Sequence, residues 1–473
     1  MAALRTVYNP QVVPAAGQAT DPARSTGAKL GFAVISVYTF LLFSRSVEFI
    51  DTTGSLHLMI LIGLPAILLA VFSGRMLRAM RTRIGVCLAL LSAWMIIGLP
   101  FSIWRGGSVA AFTSGWPKSV IIFLLVGALL VSLEQLRSFA LVIAWATAAM
   151  IFIVNRHSVQ GDDRLNVGWG TLGNANDLAS VLIIGLPFCL YIVTDSRRNI
   201  VLRLWFLLIA IASVLTALKT GSRGALVALV LLGGFAFVKA SAANKVVIAA
   251  VLVAFLGSLP FLLTPELKAR YMTILQTGNA DAAAAAAGDA KVKSALQSTE
   301  ARRDLLKHAL QLSVRHPVFG VGYGEFPVAD SNRAAAEGQE SYWHEVHNIF
   351  AVMLVENGVP ALILYCCAFY LAVRIAARAY KVSRRDPARK ELARFSLCLL
   401  IALAAFFICN NFATDAYGFQ FPLLGGVAAA LDMILRAEAP AGAATVSPSL
   451  TPGHVPLRRP RKMKSLNAAE SRI

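Results

Sequence analysis

The stretch KSVIIFLLVGALLVSLE, residues 118–134, decides the fold class of this chain. Its interior contains no charged residue, and about 20 apolar residues in a helix are enough to cross the hydrocarbon core of a bilayer. The whole chain is 57% hydrophobic and only 15% charged over 473 residues, which lies outside the range of soluble globular proteins. The sequence therefore predicts an integral membrane protein.

Similar apolar runs recur along most of the chain. A single segment that crosses the bilayer can pair all of its backbone N–H and C=O groups only as a helix. These runs therefore predict an all-α integral membrane protein with about 12 transmembrane helices. The predicted spans are 29–44, 57–73, 84–101, 118–134, 137–155, 178–194, 199–217, 224–239, 245–263, 348–373, 395–411 and 418–435. The resulting organisation is a tail (1–28), helices 1 to 9 (29–263), a long loop containing short amphipathic helices (264–347), helices 10 to 12 (348–435) and a basic, disordered tail (436–473).

The first apolar run and the cysteines need no further explanation. About 28 mixed residues precede the first run, whereas a signal peptide places its apolar region directly after a short basic one. The first run is therefore predicted to be a retained span. All six cysteines fall inside predicted spans, where they read as packing residues and not as disulfides or metal ligands.

The net charge of +19 predicts an orientation. Lysines and arginines concentrate in alternate loops, most densely in 74–83, 374–394 and the C-terminal tail. Cytoplasmic loops of membrane proteins carry such an excess. Both termini are therefore predicted to be cytoplasmic, and the 264–347 loop to face outward. This distribution accounts for the basic charge without a nucleic-acid partner.

The second half of the long loop carries two local patterns. In ARRDLLKHALQLSVRHPVFGVGYGEF, Leu305, Ala309 and Leu312 share one helical face, which predicts an amphipathic helix that ends before Pro317. The glycines of GVGYGEF predict a tight turn. Their spacing lacks the context of a P-loop or a dinucleotide fingerprint, although backbone amides lining a ligand site remain the alternative.

Polar residues collect at the outward ends of several predicted spans. Each has an ordinary explanation, since arginines snorkel to headgroups and Ser and Asn cap helices. Their joint position on one face beside the long loop favours a functional site. The candidates are Asn174, Asn176, Ser222, Arg223, Arg302, Arg303, His344, His347, Asn348 and Glu356.

This set of residue types suits group transfer from an anionic substrate. Arginine binds phosphate through two parallel hydrogen bonds, and a neutral histidine can accept a proton from an attacking hydroxyl. No HExxH motif or other metal-ligand spacing is present in the outward segments. A site without metal or cofactor is therefore predicted. Glu356 lies nine residues after His347, so on an unbroken helix it points about 180° away, and a bond to a neighbouring span or a break at Asn357–Gly358 is the alternative to a catalytic role.

Four segments carry a resemblance to a known family. HEVHNIFAVMLVENGVPALILY resembles the His-Asn signature of the O-antigen ligase and O-antigen polymerase superfamily. GTLGNANDLASVLIIGLPF, TGSRGALVALVL and the ARRDLL segment resemble three further motifs, in the same order along residues 170–435. The resemblance implies a metal-independent, inverting glycosyltransferase whose donor is a glycan on undecaprenyl pyrophosphate.

Residue roles follow from the same resemblance. It implies that Arg223 and Arg302 hold the pyrophosphate, with Arg303 as the alternative to Arg302. His347 would activate or orient the acceptor hydroxyl, Asn348 would position that histidine, and Asn176 would shape the site.

The resemblance also implies a bacterial inner-membrane protein whose active site faces the periplasm. A ligase would transfer the glycan to lipid A–core or to a protein, whereas a polymerase would extend another lipid-linked repeat. The favoured reading is a ligase. A transporter of lipid-linked anions is a further alternative, but it predicts polar residues along the spans and a repeat between halves, which the sequence does not show.

Overall fold

The fold consists of α-helices joined mainly by short connections. The computed structural model describes residues 25–50, 56–161, 164–168, 170, 173–239, 245, 264, 267, 271, 290–338 and 345–438. Residues 246–263 of the predicted ninth span, the first part of the alanine-rich stretch, His344 and most of both tails lie outside the described residues. Residues up to Ile434 form one unit, and the chain from Leu435 onward forms a second.

The described helices are numbered here in chain order. The first eight are α1 (Thr26–Ser44), α2 (Val47–Ile50), α3 (Leu58–Phe72), α4 (Arg75–Met80), α5 (Arg83–Gly98), α6 (Arg105–Ser114), α7 (Trp116–Leu129) and α8 (Leu133–His157). The next are α9 (Ala175–Val193), α10 (Ile200–Lys219), α11 (Arg223–Lys239), α12 (Ala290–Arg315), α13 (Phe326–Ala336), α14 (Ile349–Ser383), α15 (Lys390–Asn410) and α16 (Gln420–Glu438). Two 3₁₀ turns occupy Leu99–Phe101 and Pro387–Arg389.

Among the described residues, nine helices are long and apolar enough to cross a membrane. Two shorter apolar helices, Leu58–Phe72 and Arg223–Phe235, coincide with predicted spans 57–73 and 224–239. The class of all-α integral membrane protein is thus confirmed. The predicted number of about 12 spans goes beyond the nine, because two predicted spans are short helices and residues 246–263 of another are not described.

The centre of the bundle is built around α9, whose residues are mostly buried against α8, α10 and α15. Small side chains permit the closest approaches. At Gly185 of α9, an added Cβ would lie 2.3 Å from Oγ1 of Thr147 on α8. Membrane helices favour such small residues at their contacts, since lipid offers no hydrophobic drive between helices.

A short antiparallel hairpin follows α8 and is the described departure from an all-helical chain. Its strands are β1 (Val159–Gly161) and β2 (Arg164–Asn166), with Val159 opposite Asn166. Three-residue strands carry too little alternation to be recognised in sequence. The hairpin matters because it presents Arg164 to the helix ends described below.

The helix that follows the His-Asn motif is longer than predicted and broken. It runs from Ile349 to Ser383, but Gly358 has φ 81° and ψ 177°, values outside any helix. That backbone region is open essentially to glycine alone. The break exposes the carbonyls of the preceding turn to partners from another segment, and the glycine-rich loop uses them.

Charged residues at one end of the bundle pair with each other. Arg137 of α8 lies 3.4 Å from Glu391 of α15 and 3.8 Å from Asp195, the residue shortly after α9. Arg394 lies 3.4 Å from the same buried aspartate. This network joins α8, α9 and α15 at the end opposite to the start of α9.

Candidate functional site

A cavity of about 290 Å³, here called the arginine cavity, lies where the beginnings of α11 and α14 meet α12 and the end of α15. It gathers residues that are far apart in the sequence. The lining residues are Arg223, Arg302, Arg303, Leu306, Val346, His347, Asn348, Asn411 and Phe412. Five of the predicted site residues, from three different segments, therefore line one cavity.

The charge of this cavity is positive. Its described lining contributes three guanidinium groups and no carboxylate. Arg223 and Arg302 are half-buried, whereas Arg303 is exposed. Guanidinium groups held at a partly buried position pair strongly with phosphate oxygens. The arrangement is suited to an anion with several oxygens.

His347 is oriented by the backbone just before it. Its Nδ1 lies 3.0 Å from the carbonyl oxygen of Glu345. A carbonyl oxygen only accepts hydrogen bonds, so Nδ1 carries the proton in this contact. In the neutral imidazole the lone pair then resides on Nε2. The contact fixes the tautomer in which Nε2 is the proton acceptor.

Asn348 is the N-cap of α14 and also a bridge to α15. Its Oδ1 accepts hydrogen bonds from the backbone amides of Phe350 and Ala351, both at 3.0 Å. Its Nδ2 donates to Oδ1 of Asn411 at 3.2 Å. Because both functions of one amide are used, Asn348 fixes the start of α14 relative to the end of α15. His347, the preceding residue, is held with it.

Ser222 positions Arg223 at the start of α11. Its Oγ accepts a hydrogen bond from the amide of Ala225 at 3.4 Å, and its own amide donates to Oγ1 of Thr220 at 3.2 Å. Ser222 is buried and is not among the residues that line the cavity. The ordinary explanation for this serine, a helix cap, matches its contacts.

Close packing next to Arg223 explains why a glycine follows it. An added Cβ at Gly224 would lie 2.6 Å from Cβ of Phe412. A larger side chain would push apart α11 and the residues that follow α15, both of which line the cavity.

The helix that carries Arg302 and Arg303 is held from the side. Leu305, Ala309 and Leu312 are buried, as the predicted face required, and α12 ends at Arg315, before the proline. With this face buried, Arg302 and Arg303 line the cavity beside the starts of α11 and α14.

A second helix reinforces the position of α12. Nδ1 of His308 lies 3.0 Å from Oδ1 of Asp330 on α13, and Nε of Arg333 donates to the same oxygen at 3.0 Å. Helix α12 is thereby tied to α13 by a partly buried charged cluster.

Asn174 and Asn176 do not line the arginine cavity. Asn174 is the N-cap of α9, and its Nδ2 donates to Oγ1 of Thr414 at 3.3 Å. Oδ1 of Asn176 accepts from Nη2 of Arg164 at 3.2 Å, while Nε of that arginine donates to the carbonyl of Thr220 at 2.9 Å. Asn176 thus supports the turn before Arg223 indirectly.

Glu356 also lies outside the arginine cavity, and its contacts are with a loop. Its carboxylate accepts hydrogen bonds from the amide of Gly324 at 2.8 Å, the amide of Phe326 at 3.4 Å and the hydroxyl of Tyr417. It is buried, with 5% exposure. A carboxylate with three donors in this position is a tether between α14, the glycine-rich loop and the α15–α16 connection.

The amides of the glycine-rich loop are used within the protein. The amides of Gly320, Gly322 and Gly324 donate to the carbonyl of His316, the carbonyl of Glu356 and its carboxylate, respectively. All three glycines have positive φ. These partners favour the tight-turn interpretation over a ligand-binding loop.

Sequence reasoning missed the residues that support the site from other elements. Asn411 and Phe412 line the arginine cavity, and Arg164 holds the turn before α11. Asn411 is the last residue of predicted span 395–411, but nothing in the sequence pairs it with Asn348. Arg164 gave no signal, because its hairpin is too short. His344 lies outside the described residues.

Comparison with known proteins identifies the segment that holds this cavity. Residues 206–366 match the family model described as O-antigen ligase. The chain carries an O-antigen ligase domain. The match confirms the resemblance, seen in the motifs, to the membrane superfamily of O-antigen ligases and polymerases. No curated protein matches the chain significantly.

The match covers the residues that converge on the arginine cavity. Arg223, Arg302, Arg303, His347 and Asn348 all fall between 206 and 366. The N-cap Asn174 and its neighbour Asn176 precede the matched segment. The O-antigen ligase domain thus supplies the cavity's charged residues, while Asn411 and Phe412 come from the chain after it.

Proposed function

We propose that this protein is an O-antigen ligase-like glycosyltransferase that moves a polysaccharide from undecaprenyl pyrophosphate to an acceptor hydroxyl on lipid A–core or on a protein. The observation that carries the proposal is the convergence of three arginines and an oriented histidine in one cavity of an O-antigen ligase domain. A cationic cavity beside a proton acceptor suits attack by a hydroxyl on a sugar that leaves pyrophosphate behind.

Arg223 and Arg302 hold the pyrophosphate, with Arg303 at its exposed edge. The positive charges of these arginines stabilise the transition state in which the glycosidic bond breaks, because the departing pyrophosphate gains negative charge in that step. The described lining offers guanidinium and amide groups in place of the carboxylates that bind divalent metals. The protein's own cations therefore stabilise the leaving group in this scheme.

His347 acts as the general base. Nε2 takes the proton of the acceptor hydroxyl while the hydroxyl oxygen forms a bond to the anomeric carbon. The bond between that carbon and the pyrophosphate oxygen breaks, and the electron pair leaves with the pyrophosphate. Attack opposite the leaving group inverts the anomeric configuration. Asn348 keeps the histidine at the boundary between α14 and the cavity.

The orientation belongs to the same proposal. A lipid-linked donor reaches the arginine cavity from the periplasmic face of a bacterial inner membrane, and both termini are cytoplasmic. The alternation of basic loops supports this placement. An Ala301→Cys variant tests it, because Ala301 is exposed on α12. A membrane-impermeant thiol reagent should label intact spheroplasts, and labelling confined to inside-out vesicles would contradict the orientation.

One assay tests the reaction and separates ligase from polymerase. Purified protein receives a glycan on undecaprenyl pyrophosphate, with or without lipid A–core or a candidate protein acceptor. A ligase forms product only when the acceptor is present. Longer lipid-linked chains from donor alone would instead identify a polymerase, and the absence of any glycan transfer would refute the proposed function.

A further inference from the structure

A second cavity of about 250 Å³, here called the acidic cavity, lies between the end of α1, the start of α9 and the α15–α16 connection. We propose that it binds an uncharged, hydroxyl-bearing sugar residue of the acceptor, an inference that rests on the proposed glycosyltransfer. The residues that carry the argument are Arg45, Asn174, Asp177, Asp415 and Gln420.

The acidic cavity contains buried acceptor atoms without donors among the described residues. Gln420 is 2% exposed, and its Oε1 has no hydrogen-bond partner there. Its amide interacts with the carboxylate of Asp415. Oδ1 of Asp177 also has no partner, while Oδ2 accepts from Thr414 at 3.3 Å. Buried acceptors are normally paired, so these two indicate a ligand that donates hydrogen bonds.

The charge of the cavity selects among ligands. Among the described lining residues, two carboxylates face one guanidinium, that of Arg45, which disfavours a phosphate and separates this cavity from the arginine cavity. A metal ion is disfavoured too, because the described residues contain no group of three His, Cys, Asp or Glu side chains suited to one, and Arg45 repels it. Sugar hydroxyls donate to carboxylate and amide oxygens and accept from guanidinium.

The size of the cavity agrees with one sugar residue. Sites for small molecules usually span about 300–1,000 Å³, and the acidic cavity lies just below that range. A single ring with its hydroxyls fits such a volume better than an extended chain. Arg45 has φ 57°, a left-handed conformation at the end of α1, and its guanidinium stacks 4.9 Å from the Phe419 ring. Its position is thus fixed by packing.

The two cavities share structural elements, which connects the sugar to the reaction. The backbone carbonyl of Glu345 orients His347, and its side chain interacts with Thr414. Thr414 in turn bonds Asp177 and Asn174. The connection after α15 therefore lines the arginine cavity at its start and the acidic cavity further along. An acceptor sugar held here lies beside the segment that holds the base.

Kinetics of the Asp177→Asn variant test the assignment. The substitution turns an acceptor atom into a donor while keeping the shape of the side chain. Asp386→Asn serves as the matched control, because Asp386 is a half-exposed cap residue at a different helix junction. Transfer rates are measured while the lipid-linked donor and the acceptor are varied separately, with methyl glucoside, methyl galactoside or methyl N-acetylglucosaminide as competitors.

The expected result is a change confined to the acceptor. Its KM should rise about tenfold in Asp177→Asn, the effect of losing one hydrogen bond, while the donor KM and the control stay as in the wild type. At least one glycoside should compete with the acceptor and not with the donor. An unchanged acceptor KM, or equal changes in both KM values, would overturn the inference.

A binding measurement covers the remaining cases. Ligand-observed NMR of the three methyl glycosides with the wild-type protein requires neither glycan transfer nor a folded variant. An NMR saturation-transfer signal on a glycoside that disappears in Asp177→Asn supports the sugar site. This holds even if the enzyme transfers no glycan, a result that would refute only the proposed function. Failure of all three to bind the wild type would overturn the sugar site, whether or not the enzyme transfers glycan.

Discussion

Nδ1 of His347 lies 3.0 Å from the carbonyl oxygen of Glu345, only two residues earlier in the chain. This local contact sets the tautomer of the ring. The proton-accepting Nε2 therefore depends on the backbone course of residues 345–348, which Asn348 fixes by capping α14 and bonding Asn411. The orientation of the proposed base therefore follows from the start of a helix.

The three arginines of the cavity should not contribute equally. Arg302 is half-buried and Arg303 exposed, and water screens an exposed charge more strongly. We expect Arg302→Ala to raise the donor KM about ten- to a hundredfold and Arg303→Ala to raise it much less. Kinetics with varied donor measure both, with the exposed Arg378→Ala on α14 as control. A larger effect at Arg303 would reverse the assignment.

Asn348 allows its two functions to be separated. In Asn348→Asp the side chain still accepts from the Phe350 and Ala351 amides but can no longer donate to Asn411. We expect thermal stability to change by less than about 1 kcal/mol, while the transfer rate falls about tenfold. Thermal unfolding in detergent and transfer rates measure the two effects. Wild-type activity in this variant would mean that the amide bridge does not hold the site.

The break in α14 should be intolerant of a side chain. At Gly358 an added Cβ would lie 2.0 Å from the carbonyl oxygen of Val318, and the backbone is in a region used by glycine. Gly358→Ala should destabilise the protein by about 2–4 kcal/mol. Gly234→Ala is the matched control, because Gly234 lies within helix α11 and an added Cβ there would have no neighbouring atom within 4 Å. Comparable melting temperatures for the two variants would contradict the prediction that the break in α14 excludes a side chain.

Asp415 should make stability depend on pH. Burial raises the pKa of its carboxyl above the usual range, although Arg45 and Gln420 oppose the shift. The folded protein then holds this proton to higher pH than the unfolded chain, so stability falls as pH rises above about 4 through the folded pKa. Asp415→Asn should remove that fall in a series of melting curves.

An aspartate with the opposite shift provides the control for that series. Lys307 lowers the pKa of the exposed Asp304 carboxyl by hydrogen bonding, so Asp304→Asn should not gain stability relative to the wild type as pH rises. Melting temperatures of wild type and Asp415→Asn that run parallel over pH would contradict the effect assigned to burial.

The helical bundle was largely readable from the sequence. Long apolar runs such as 118–134 leave little choice of fold, and the spacing of Leu305, Ala309 and Leu312 gave the buried face of α12 correctly. Consecutive spans run in opposite directions, so every second connection lies at the same end of the bundle. The gathering of Arg223, His347 and their neighbours therefore follows from hydropathy and motif order.

Contacts between distant segments could not be predicted in this way. Glu356 accepts hydrogen bonds from Tyr417 and Gly324. These three residues come together at the break in α14, and no periodic pattern in the sequence relates them. In the sequence, Asp177 directly precedes predicted span 178–194 and Gln420 lies within predicted span 418–435. Only the folded chain places both at one cavity. Long-range partners of single polar residues depend on tertiary packing, which local spacing does not encode.

The most direct test of the central claim is the rate of glycan transfer by His347→Ala with saturating donor and acceptor. Loss of a general base should lower kcat by about a hundredfold to ten-thousandfold, while the donor KM, set by the arginines, stays near that of the wild type. Transfer by His347→Ala at the wild-type rate would contradict the assignment of the arginine cavity as the catalytic site.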